Sequence, residues 1–162
     1  MKGLLDAKND DYVARAREVA EKYIRPVAAE LDEKEEYPWS IMVKLQEYGL
    51  TGVWIPKEYG GKGDGVLNLC LVVEELSRAC GGVGVVFAVN ALGSFPIIVG
   101  GTEEQKHKFL PDVASGKKLI AYALSEKNAG SDAGSLSCRA VKDGDSFVLT
   151  GDKKWTTNAG AA

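Results

Sequence analysis

Apolar residues fall at helical spacing through the first two-thirds of the chain and at alternating spacing after it. Tyr12, Ala16, Val19, Tyr23, Val27 and Leu31 are separated by steps of three and four, the stripe of an amphipathic helix. Asp10 or Asp11 is placed to cap its start, and Pro26 is expected to kink or split it, because the proline ring blocks the bond to residue 22. A second helix is predicted from Pro38 through Ile41, Leu45 and Tyr48, with Gly49 in the left-handed position that ends it. The loop PKEYGGKGDG (56–65) follows. Beyond it VLNLCLVVEELSRA is apolar almost all round and reads as a buried helix. A further buried helix is expected from Val83 to Val99. A short one from Thr102 to Leu110 has Thr102 and Gln105 at capping-box spacing.

After Lys118 the period changes to two. LIAYALSE, SLSCRAVKDG, SFVLTG and KKWTTNA are short and bounded by Gly/Asp turns, with Asp143-Gly144-Asp145 as a hairpin signal. Four strands are therefore expected. The fold class is α+β, an N-terminal all-α domain (1–118) followed by the opening strands of an antiparallel β-domain (119–162). Four strands leave an exposed edge and an incompletely covered face, so more β-structure is expected to complete the sheet.

Composition narrows the function. The 162 residues are 45% hydrophobic and 27% charged, enough for a true core. Twenty basic against twenty-three acidic residues give a net charge of −3, which disfavours nucleic acid and polybasic membrane binding. Cys70, Cys80 and Cys138 show no metal or disulfide spacing and read as reduced thiols. The acidic N-terminal stretch MKGLLDAKNDD is unlike a signal peptide, and a cytoplasmic location is the expectation. The 24 uncharged residues between Arg78 and Glu103 have the length of a membrane span, but six glycines, Asn90, Ser94 and Pro96 interrupt them. No membrane span is expected.

Several chemical motifs fail on inspection. Gly61-Lys62-Gly63 lacks the phosphate-loop spacing, and Gly82-Val83-Gly84 has Phe87 where a dinucleotide fingerprint needs its third glycine. Gly130-Ser131-Asp132-Ala133-Gly134 has Asp132 where a nucleophile elbow needs serine. His107, the one histidine, sits in the charged run EEQKHKFL and is expected to be solvated. Glu74 and Glu75 are each spaced to pair with Arg78.

The informative window is AYALSEKNAGSDAGS (121–135), where an expected strand ends in a stretch of hydroxyls, carboxylates and small residues. Small residues allow a flat or phosphorylated ligand close to the backbone, and Ser125 and Ser131 offer donors. An ordinary solvent loop would have the same composition.

ALSEKNAGSDAG closely resembles the flavin-binding signature of the acyl-CoA dehydrogenases. EEYPWSIMVKLQEYGLTGVWIPKEYGGKGDG, the stretch from VVEELSRACGG to DVASGKK, and LTGDKKWTTNAG are similar to successive segments of the same family, in order. The chain departs from the pattern at Lys127-Asn128, where Pro-Gly is common, and at Thr156, where Ile is common. The resemblance implies FAD as cofactor. Tyr122, Leu124 and Ser125 would line the flavin ring, Gly130 and Ser131 would lie near its pyrophosphate, and Ser131 would also meet the acyl-CoA. Trp155 would pack on the ring, and Thr157 would donate to its N5 side. The Leu92–Val99 region would close the acyl pocket.

The family's reaction is α,β-dehydrogenation of an acyl-CoA thioester, with hydride transfer to FAD. Its catalytic glutamate lies in a C-terminal bundle, so no catalytic residue is assigned within this chain. The chain is expected to be an N-terminal portion, inactive alone. An electron-transfer flavoprotein as acceptor and a homotetramer are the further implications for the full-length protein. The alternatives are a flavin monooxygenase or oxidase on the same scaffold, or a non-catalytic binding or assembly module.

Overall fold

The computed structural model describes residues 6–162. Helix α1 (Ala7–Val19) starts earlier than the Asp10/Asp11 expectation. Asp6 accepts from the Lys8 and Asn9 amides while the Asn9 side chain accepts from the Asp6 N–H, so two orphan donors are satisfied at once. Pro26 does distort the helix. The missing N–H is absorbed by a π-helical stretch at Ala20–Ile24 and a 3₁₀ turn at Arg25–Val27, after which α2 (Ala28–Lys34) resumes.

Helix α3 (Trp39–Glu47) begins just after Pro38. It ends where expected: Gly49 has φ +64°, and the Leu50 amide donates back to the Leu45 carbonyl at 2.9 Å. Then come α4 (Gly65–Ala79), α5 (Gly81–Gly100) and α6 (Glu103–Ala114), the last opened by the Thr102/Gln105 capping box and continuing through Pro111. Helix α4 packs between α1 and α5, and α5 packs on α6.

One core joins these helices. Leu45, Leu50, Val53, Ile55, Val72, Leu76, Phe87 and Leu110 are fully enclosed. Trp54 stacks edge-on against Phe87 and donates its indole N–H to Ser94 Oγ at 2.7 Å. Neither α4 nor α5 is buried all round. Val66, Leu67 and Cys70 face outward on α4 because its neighbours cover only the Leu69–Val72–Leu76 side. Helix α5 is long and apolar enough to cross a membrane, yet Val83, Phe87, Ala91 and Ser94 are buried in this core. Val85, Leu92 and Val99, at heptad spacing, form its exposed stripe.

Of the four expected strands, two form. Strands β1 (Arg139–Asp143) and β2 (Ser146–Thr150) make an antiparallel hairpin with Val141 opposite Val148, turning at Gly144 (φ +58°). Both strands are exposed along their whole length. Residues 119–125 and 152–156 have no regular ladder, and 157–161 form a turn. Side chains take several of the carbonyls a ladder would use, and Trp155 at φ +60° breaks the extended path.

Candidate flavin-facing site

Two extended segments meet on the far side of α5. Gly93 lets them approach: a Cβ there would lie 3.0 Å from the Ile120 side chain and 3.1 Å from the Ala121 carbonyl. Asn90, buried on the same helix, accepts the Ile120 N–H at 3.1 Å. At the other segment, buried Asn158 donates to the carbonyls of Val86 (3.2 Å) and Ile120 (3.3 Å) and accepts from the Tyr37 hydroxyl. Further along, the Lys154 N–H donates to the Ser125 carbonyl at 2.9 Å. These contacts hold the two segments beside each other, Lys154 at Ser125, Lys153 at Leu124 and Asn158 at Ile120.

The structure thus gathers five of the residues singled out in the sequence, Tyr122, Leu124, Ser125, Trp155 and Thr157, on two adjacent segments. Gly130 and Ser131 are carried separately, on an exposed turn beyond the Glu126–Ala129 bridge. Asp132 closes that turn by accepting the Ser135 hydroxyl. Trp155 is 82% exposed, with the Lys154 ammonium over its ring at 5.1 Å. No residue of this set lines the concavities on the helical side, a cleft of about 550 Å³ between α3 and Leu119 and one of about 180 Å³ beside Cys80. The set forms an open shelf.

The donor chemistry of the shelf suits a planar, phosphorylated ligand. An exposed indole, with Lys154 over one face, offers a stacking surface, and the hydroxyls of Ser125, Ser131 and Thr157 supply donors. A Cβ added at Gly130 would meet nothing within 4 Å, so the turn faces open space. Flavin fits these groups.

Sequence reasoning missed Glu126. Its carboxylate is buried and fully satisfied: Oε2 accepts from the Ser137 N–H and Oγ, both at 2.7 Å, and Oε1 from the Cys138 N–H (2.9 Å) and Lys153 Nζ (2.8 Å). Lys153 foremost, then the Ser137 and Cys138 donors, hold its pKa down to about 2. Partners 11 and 27 residues away carry no local spacing signal. The carboxylates expected to pair with Arg78 also resolve differently. Glu74 is exposed, whereas Glu75 is buried, with Arg78 at 3.6 Å and Arg17 of α1 as its two-pronged partner. His107 is exposed, its ring edge-on to Tyr59 at 5.0 Å.

Comparison with known proteins agrees with this architecture. Residues 7–117 match the family model of the acyl-CoA dehydrogenase N-terminal domain, and residues 121–162 that of the middle domain. The chain belongs to the acyl-CoA dehydrogenase family. It is 45% identical over 147 residues to the short-chain specific acyl-CoA dehydrogenase of Clostridium acetobutylicum, covering 90% of this chain and 39% of that one. It superimposes on butyryl-CoA dehydrogenase from Megasphaera elsdenii with a TM-score of 0.91 at 37% identity, over 100% of this chain and 44% of that one. Against an acyl-CoA dehydrogenase from Bacillus anthracis complexed with FAD the TM-score is 0.89 at 33% identity, over 99% and 28% of the two chains. The chain spans about two-fifths of the length of the curated relatives it matches.

Proposed function

We propose that this chain supplies the flavin-facing and part of the acyl-facing surface of an FAD-dependent acyl-CoA dehydrogenase. The observation that carries the reading is the Lys154–Ser125 contact at 2.9 Å, which sets a segment rich in donors beside the exposed Trp155.

In this reading Tyr122, Leu124 and Ser125 border the ring system, and Trp155 stacks on it. Thr157 donates to its polar edge, and Gly130 and Ser131 receive the pyrophosphate. Ser131 also meets the acyl-CoA, and the exposed Leu92 and Val99 of α5 offer apolar surface to the acyl chain. The chemistry FAD supplies when bound is acceptance of a hydride from the β-carbon of the thioester. In this reading the chain's own residues orient the cofactor. The base that takes the α-proton is assigned to the C-terminal bundle of the family. An electron-transfer flavoprotein is the proposed acceptor and a homotetramer the proposed assembly, both for the full-length enzyme.

Titration with FAD tests this, following flavin and tryptophan fluorescence, with the chain alone and with the C-terminal half of a family member added. Saturable quenching that Trp155→Leu abolishes is expected. Absence of quenching under both conditions would instead make the chain a non-catalytic module.

A further inference from the structure

We infer that Glu126 and Lys153 form a positioning pair that fixes Ser125 against Trp155, an inference resting on the flavin-facing role just proposed for those two residues. Glu126 is only 5% exposed, and a carboxylate so enclosed persists because both of its oxygens are filled with donors. The ammonium of Lys153 joins its carboxylate at 2.8 Å and donates also to the Leu124 carbonyl at 2.9 Å. It therefore grips the residues immediately before and after Ser125. The next residue along the lysine's own segment, Lys154, holds the Ser125 carbonyl through its N–H.

Elsewhere a sheet ladder would do this work. The one ladder among the described residues joins β1 to β2, and it involves neither segment of the shelf. Side chains hold the shelf in its place. Through Ser137 and Cys138 the same carboxylate ties the shelf to the start of the hairpin. Trp155, two residues past Lys153, sits at φ +60°, a backbone region a tryptophan keeps only under constraint. Neither Glu126 nor Lys153 is assigned a contact with the cofactor. They act through Ser125 and Trp155.

The test compares Glu126→Gln, Lys153→Met and the double variant in the full chain. Folding is read from helical circular dichroism, FAD affinity from fluorescence, and the environment of bound flavin from the shape of its visible band. Each single variant should keep its helical signal, weaken FAD binding about tenfold, and alter the band. The double variant should bind no worse than either single one, because both residues serve one clamp. Wild-type affinity and band shape in Glu126→Gln, or losses that multiply in the double variant, would overturn the inference. Should Glu126→Gln fail to fold, Lys153→Met decides by the same readouts.

If the wild-type chain takes up no FAD, alone or with the C-terminal half of a family member added, the functional proposal fails and the clamp is judged by amide hydrogen exchange. Loss of protection at Lys154 in Glu126→Gln then supports it, and unchanged protection overturns it.

Discussion

Arg17 of α1 meets Glu75 of α4 in a two-pronged ion pair, Nε 3.0 Å from one carboxylate oxygen and Nη2 2.7 Å from the other. The arginine is half-exposed and the glutamate buried, so the charge that lacks water is the one that receives the donors. Arg78 adds a second, longer contact at 3.6 Å. This pair joins α1 to α4 beside apolar contacts and the buried Asn9–Asn68 side-chain hydrogen bond at 2.7 Å.

The first prediction follows from its titration. The Arg17 hydrogen bond lowers the pKa of Glu75 below its ordinary value against an opposing desolvation. A carboxyl whose folded pKa lies below its unfolded one adds stability above the unfolded value, about 4.3, and loses it as pH falls through the folded one. Glu75→Gln should therefore be less stable than wild type near neutrality, and the gap should narrow on acidification below about pH 4. Urea midpoints of both proteins across that range measure it. A gap independent of pH would show that the charge contributes nothing.

Ser94 gives the second. It is fully buried on α5, accepts the Trp54 indole N–H at 2.7 Å and donates to the Ala91 carbonyl at 3.0 Å. Ser94→Ala removes the acceptor and strands a buried donor, at a cost of about 1–3 kcal/mol. The Ser94→Ala, Trp54→Phe pair should recover part of that loss, since no orphan N–H remains. Chemical denaturation of the two variants separates these outcomes.

The helical half was legible because its signals are local. The stripe from Tyr12 to Leu31, the Thr102 cap and the Gly49 stop each lie within a few residues of what they control. The β-half was legible only at its hairpin, where Gly144 marks the turn. Residues 119–125 and 152–156 have the composition of strands, but they are held in place by Asn158, Lys153 and Glu126 through long-range bonds. Period and propensity do not encode those partners. For the same reason Glu126 went unnoticed inside the most informative window of the chain. Its neighbours Ser125 and Ser131 drew attention as donors, while a carboxylate among Ser, Asp and Gly looks like loop solvation. The outward faces of α4 and α5 were missed because an apolar side chain does not say what covers it.

Asn158 carries the third prediction. Its side chain bridges Val86 and Ile120, and its backbone sits at φ +70°. Asn158→Ala loses those bonds and the one accepted from Tyr37, and places a Cβ-bearing residue poorly suited to the left-handed region there. Asn158→Gly loses the bonds alone. Both should destabilise, by about 1–3 kcal/mol for the stranded carbonyls, with alanine worse than glycine by up to about 1 kcal/mol. Thermal unfolding of the two variants gives the order. Glycine falling below alanine would mean that the backbone conformation is not what the asparagine side chain serves.

Trp155 separates stability from binding most sharply. It is 82% exposed, so its ring buries little surface, and at φ +60° it occupies a backbone region that disfavours large side chains. Such strain is retained where a site needs the side chain in that place. Asparagine tolerates the same conformation, so Trp155→Asn should raise the urea midpoint, by an amount corresponding to about 0.5–1 kcal/mol, while removing FAD affinity. Opposite signs for the two effects are the signature of a residue kept for its ligand. If Trp155→Asn lowers stability instead, the indole contributes to the fold through contacts that its exposure does not indicate, and the strain argument fails even if FAD binding is lost.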